Sequence, residues 1–310
     1  PVASGRRAGA ELGRGGIEMK LITYRYEGEE AIGIFVDDRV IPMTELGVQE
    51  KTMLSFIQHG GQEQLAALEE RARSYDGGIP IQAVTLEAPI PEPGQDILCL
   101  GINYMDHAEE SARFKLETFD GKREHPVYFA KRVTRAIGDG ACIPSHKEIT
   151  CQLDYEAELA VILGKDVKNI TAENAREYIL GYTVINDVSA RDIQNRHKQW
   201  YFGKSLDGFC PMGPYIVTAD EISYPPELPI RSIVNGELRQ NSNTRLLIFD
   251  IGYVLEELSA GMTLKAGTIL SMGTPAGVGM GFTPPRFLQE GDQVICEIEG
   301  IGRLSNRIGS

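Results

Sequence analysis

Short alternating runs of apolar and polar residues dominate this 310-residue chain, and they read as β-strands separated by turns. In 19–43 the runs LITYRYEG, AIGIFVDD and RVIPM follow one another, whereas 52–75 switches to helical spacing through Leu54, Ile57, Leu65 and Leu68. The proline-rich stretch APIPEPGQD at 88–96 interrupts the pattern and sets a boundary. Beyond it come an apolar strand at 97–101 and a helix opening near Tyr104. The charged segment 115–125 has almost no apolar residues, so it reads as a loop able to act as a lid. Strands follow at 126–131, ending on Lys131, at 153–164 and at 182–187, with helices at 171–178 and 248–258. An Asn-Gly pair within 231–240 marks a hairpin. A strand then enters the glycine-rich TILSMGTPAGVGMG, and a last strand ends at Ile298. The expected architecture is β-rich α+β, with an extension at 1–18, a small N-terminal α/β domain at 19–90 and a larger domain at 91–310.

The chemistry concentrates on 153–164, LDYEAELAVILG. In a continuous strand Glu156 and Glu158 project on one face while Tyr155, Ala157 and Leu159 take the other. Alternating glutamates on the solvated face of an antiparallel strand are the common case when such a pattern stands alone. Two neighbouring carboxylates at the edge of a core instead call for a cation between them. Other parts of the chain favour the second reading. Asp187 lies at the polar end of the strand at 182–187, and Arg191 and Gln194 follow it at near-helical spacing. His107 and Glu110, three apart on a helix, form a pair in which the carboxylate raises the basicity of the imidazole. Lys204 closes the aromatic run WYFGK, where it has to meet water or an anion. All-oxygen ligands favour a hard cation such as Mg²⁺ or Mn²⁺, Arg191 can clamp a carboxylate, and Lys204 supplies a point charge. Asp154 is a further carboxylate close by.

Charge and composition narrow the field. A formal net charge of −13 with no large Lys/Arg cluster argues against nucleic acid and anionic membranes as partners. No apolar run reaches the length of a membrane span, and 1–18 has no apolar core of a secretory signal; it reads as an upstream extension. Five cysteines without a CxxC pair fit a reduced, cytoplasmic protein. The glycine-rich loop lacks the spacing of a phosphate cradle.

The segments NYMDHAEE (103–110), LDYEAELAVILGK (153–165), VINDVSARDIQ (184–194), GKSLD (203–207), CPMGP (210–214) and MGTPAGVG (272–279) resemble, in order and spacing, the fumarylacetoacetate hydrolase family over residues 90–310. RHKQWYFGKSLD and GFTPPRFL look most like its bacterial oxaloacetate decarboxylase and acylpyruvate hydrolase branch. The resemblance implies a mixed β-sandwich roll as catalytic domain, a homodimer, and Mg²⁺ or Mn²⁺ held by Glu156, Glu158 and Asp187. It makes His107 and Glu110 a water-activating dyad on a lid, with Lys204 catalytic. Arg191, Gln194, Thr274 and Lys131 would line a small keto-acid substrate. The further aspartate ligand of the eukaryotic branch has no equivalent beyond Asp139, which lacks the matching context. The implied reaction is cleavage of a C–C bond beside a pyruvoyl unit, by hydrolysis or decarboxylation. Isomerisation or decarboxylation of 2-hydroxy-dienedioates is the alternative, and a non-catalytic metal-binding scaffold a further one.

Overall fold

The computed structural model describes residues 19–115, 121 and 124–310. The segment 1–18 and most of 115–125, read from sequence as an extension and a lid, lie outside the described residues. The fold is strand-rich α+β, built on one mixed eleven-stranded sheet and a five-stranded sheet packed on it. The strand Ala157–Leu163 is buried along its whole length in the large sheet, antiparallel both to Ile179–Asn186 and to Ile269–Ser271. Unbroken burial on both faces explains why AVIL reads as a solid apolar run instead of an alternation. The second sheet runs Glu237–Asn243, Pro229–Val234, Gln293–Ile298, Gly302–Gly309 and Cys142–Pro144. Its apolar face supplies Ile230, Val294, Cys296 and Leu304 to the core that also holds Val161, Tyr182 and Val184.

The segment 19–90 does not close on itself. Lys20–Tyr26 extends the large sheet by pairing Lys20 with Val217 and Leu21 with Ile216, in the strand Met212–Thr218. Leu21, Ile34 and Phe56 share one apolar cluster with Ile162, Ile185 and Met212. A unit of this size buries too little surface alone, and the shared sheet supplies the rest. The proline-rich stretch is correspondingly a fixed strap: Ala88 and Ile90 are fully buried, and Thr23 Oγ1 donates to Pro89 O at 2.7 Å.

Three sequence-based boundaries move. The helix expected at 248–258 runs Ile251–Gly261, because Asp250 caps it by accepting from Tyr253 N at 2.8 Å. The expected helix at 171–178 is a 3₁₀ helix over Ala172–Tyr178. The largest correction concerns 153–164, which is not one strand. Leu153–Asp154 pairs with Ser189–Ala190 in a separate two-stranded ribbon, and the large sheet begins at Ala157. Side chains hold the break. Asp154 Oδ1 accepts from Tyr155 N (2.9 Å), Asn186 Oδ1 from Glu156 N (3.0 Å) and Gln240 Oε1 from Ala157 N (3.0 Å). Three successive backbone donors are thus satisfied by side-chain oxygens, which lets the chain change sheets without orphaning a buried N–H.

Candidate metal centre and active site

The break in the strand aims the carboxylates. Glu156 stands in the gap, Glu158 is the second residue of the buried strand, and Asp187 lies one residue past Asn186 on the neighbouring strand. Asp187 N donates to Glu156 O at 2.9 Å, tying the two strand ends together. Oxygens of Glu156, Glu158 and Asp187 all lie within 4.8 Å of one another, and all three residues are buried.

Cations surround them. Lys204 Nζ lies 2.6 Å from both Glu156 Oε2 and Asp187 Oδ2, over the face of Phe129 at 5.2 Å from the ring centre. Lys131 Nζ spends its three donors on Asp187 Oδ1 (2.7 Å), Val188 O (3.0 Å) and Lys204 O (2.5 Å). Arg191 Nε donates to Asp154 Oδ2 (2.9 Å), Nη1 to Gln194 Oε1 (3.0 Å), and Nη2 makes an ion contact with Glu156 Oε1 at 2.6 Å. Glu158 receives no cation; its Oε2 accepts from Ser271 Oγ (2.6 Å) and Gly273 N (3.0 Å).

Charge balance tests whether these residues fit a divalent ion. Every buried charged side chain among the described residues belongs to this cluster: Glu110, Asp154, Glu156, Glu158 and Asp187 against Lys131, Arg191 and Lys204. With all five carboxyls ionised and His107 neutral, five acids and three bases leave two negative charges, which is the charge a divalent cation neutralises. The same deficit sets the proton affinities. Burial alone would raise Glu156, but Lys204 and Arg191 outweigh it and hold the carboxyl well below the usual range. Burial, then the nearby Asp187 and Glu156 carboxylates, push Glu158 well above its ordinary value. The oxygen donors, their convergence and the unmet charge fit a hard divalent ion.

The imidazole pair lies across the cavity. Met105–Lys115 is a helix, and His107 Nδ1 is 3.0 Å from Glu110 Oε2, both side chains being buried. Glu110 Oε1 accepts from Gly277 N at 2.9 Å, so the same carboxylate also seats the helix on the glycine-rich loop. A Cβ at Gly281 would fall inside the Glu110 carboxylate, so any side chain there has to displace Glu110 from His107 and Gly277 N. Asp154 fixes the loop from below, accepting from Gly279 N (2.6 Å) and Met280 N (3.0 Å).

Of the residues singled out from sequence, His107, Glu156, Glu158, Arg191, Gln194, Lys204 and Thr274 line one narrow cavity of about 30 Å³, with Leu100, Ile102, Phe129, Trp200 and Met280 as its apolar wall. Lys131 is fully buried behind Asp187 and outside that lining. The Thr274 hydroxyl is bonded within the protein, donating to Ala157 O (2.9 Å) and accepting from Gln240 Nε2 (2.7 Å). Asp154 accepts four donors and is a brace between Arg191 and the loop. Asp139 accepts from Ser305 N and is not among the cavity-lining residues. Sequence reasoning missed Asn186, Gln240 and Trp200; a buried amide bonded to a distant backbone leaves no local pattern, whereas Trp200 stood in the aromatic run that ends at Lys204.

A family model described as fumarylacetoacetate (FAA) hydrolase C-terminal matches residues 96–309. Oxaloacetate tautomerase YisK of Bacillus subtilis (strain 168) is 41% identical over 306 residues, covering 94% of this chain and 100% of the relative. The solved fumarylacetoacetate hydrolase of psychrophilic Exiguobacterium antarcticum is 37% identical with a TM-score of 0.78, covering 94% of this chain and 99% of its own. Maleylpyruvate hydrolase of Sphingobium sp. SYK-6, solved with manganese(II) and pyruvate, is 28% identical with a TM-score of 0.75 over 94% and 99% of the two chains. With matching motifs, a matching fold and near-complete coverage of both chains, this protein belongs to the fumarylacetoacetate hydrolase family of enzymes.

Proposed function

We propose that the protein is a divalent-metal-dependent enzyme of small pyruvoyl-type 2-oxo acids, with keto–enol interconversion of oxaloacetate as its reaction. The observation that carries this reading is the buried triad Glu156, Glu158 and Asp187, in a cluster with two more carboxyl groups than cations, with His107 of the His107–Glu110 pair lining the same cavity as Glu156 and Glu158. The near-full-length likeness to an oxaloacetate tautomerase supports the substrate. A bound Mg²⁺ or Mn²⁺ would supply Lewis-acid polarisation of the 2-oxo group. Glu110 accepts from His107 Nδ1–H, which leaves Nε2 as the proton acceptor for the carbon acid next to the carbonyl. Lys204 adds positive charge beside the position where enolate charge develops. Phe129 and Ile102 are among the apolar side chains that line the cavity and limit water there.

A second reading, hydrolytic cleavage of an acylpyruvate, has His107 Nε2 take its proton from water instead. The likeness to maleylpyruvate hydrolase, solved with manganese and pyruvate, supports it. Ultraviolet monitoring of freshly dissolved oxaloacetate, alongside an acylpyruvate, separates the two. Tautomerisation accelerated by Mg²⁺ or Mn²⁺, abolished by chelation and lost in His107→Ala is expected. Metal-independent rates, or no turnover of either compound, would sink the proposal.

A further inference from the structure

We propose that Trp200 sets the length of substrate the cavity accepts, an inference that rests on the reading of the site as one for 2-oxo acids. The order of groups along the cavity carries it. Lys204 Nζ touches the carboxylates, Phe129 lies under Lys204, and the Trp200 ring meets Phe129 edge-on at 5.3 Å between ring centres and 71°. The indole thus packs on Phe129, the ring that Lys204 Nζ sits over, and lines the same cavity as Glu156 and Glu158. Lys204 N also donates to Trp200 O at 3.1 Å, so the wall and the catalytic cation ride on one turn and keep a fixed separation.

Gly101 gives independent support. A Cβ on Gly101 would overlap the Trp200 ring, although the backbone there does not adopt the left-handed conformation that otherwise demands glycine. Glycine at 101 makes room for the indole. Trp200 is half-buried and followed by Tyr201 and Phe202, exposed at 44% and 50%, so it stands where the cavity meets the surface. A substrate anchored by its carboxylate and 2-oxo group at the triad points its remaining chain at this ring. Thr274 and Arg191 are already bonded within the protein, and a rigid aromatic wall beside them limits chain length by shape.

The test uses the full chain with Mg²⁺ and the variants Trp200→Ala and Trp200→Phe. Two probe series are compared: unbranched 2,4-dioxo acids of increasing acyl length for turnover, and N-alkyl oxamates of increasing alkyl length for binding by calorimetry. Trp200→Ala is expected to raise the long-to-short ratio of kcat/KM by about tenfold or more, with Trp200→Phe between it and the parent. The oxamate affinities should shift in the same direction. A general loss of folding lowers both ends of each series and leaves the ratio alone. Unchanged ratios in variants that keep the parent's affinity for the shortest oxamate overturn the assignment, as does an absence of length-dependent oxamate binding in all three proteins. If no dioxo acid or oxaloacetate is turned over by the parent, the proposed reaction fails, and the oxamate ratio still decides the role of Trp200.

Discussion

Glu156 and Glu158 are two residues apart, yet their surroundings divide them. Glu156 is wrapped by Lys204 and Arg191, whereas Glu158 sees a hydroxyl, a backbone N–H and two other carboxylates. This division fixes how stability depends on pH in the metal-free protein. Glu158, raised in the fold, keeps its proton where the unfolded chain has lost it, so its contribution declines as pH rises above the ordinary glutamate value of 4.5. Glu156, depressed in the fold, contributes fully above 4.5, and that contribution disappears as pH falls below it. A bound cation offsets only the first effect. The rise in Tm on adding Mg²⁺ or Mn²⁺ should therefore be larger at about pH 8 than at about pH 5.5. An equal rise at both, by thermal shift, would remove Glu158 from the ligand set. Lys131 gives a second prediction. Lys131→Met leaves Asp187 and two buried carbonyls short of donors, and should lower stability by about 3 kcal/mol in urea titrations.

At the scale of elements, the helix Met105–Lys115 and the loop carrying Gly277–Gly281 are joined through one carboxylate, Glu110, which serves His107 with one oxygen and Gly277 with the other. Gly281→Ala should unseat that helix, because a methyl group cannot share space with Glu110. A roughly 100-fold fall in kcat is expected, with metal affinity little changed, since the triad is on other elements. Equal losses in both would mean that the loop also shapes the carboxylate cluster. Much of this arrangement could be read from the chain itself. The i,i+3 spacing of His107 and Glu110 survives folding because a helix preserves it, and Asp187 is found at its strand end for a similar reason. The strand at 153–164 misled because its break is made by Asn186 and Gln240, whose partners are 30 and 83 residues away. Alternation reports which face a residue takes, and it carries no information about which sheet the ladder belongs to.

The eleven-stranded sheet joins 19–90 to the rest of the described residues, with the site at the ends of its central strands. Because Lys20–Tyr26 completes that sheet and Phe56 and Ile57 complete its core, the N-terminal segment and the catalytic region should melt in one calorimetric transition. A chain starting at residue 91 should be insoluble, since it exposes the edge of Met212–Thr218 and the apolar face beneath it. Two resolved transitions, or a soluble folded fragment, would show the segment to be an independent domain. The 42% apolar content reads as ample core but does not reveal that both parts share it. One feature of the cavity extends to the solution behaviour of the whole chain. The protein has a single tryptophan, and that residue lines the same cavity as Glu156, Glu158 and Lys204. Its emission is thus an intrinsic optical signal localised to one spot, with no background from other indoles. Filling the cavity with Mg²⁺ and oxalate should shift the emission to shorter wavelength as water leaves the ring, and Trp200→Phe should erase the signal. Occupancy of this site can then be followed in the unmodified protein by light alone.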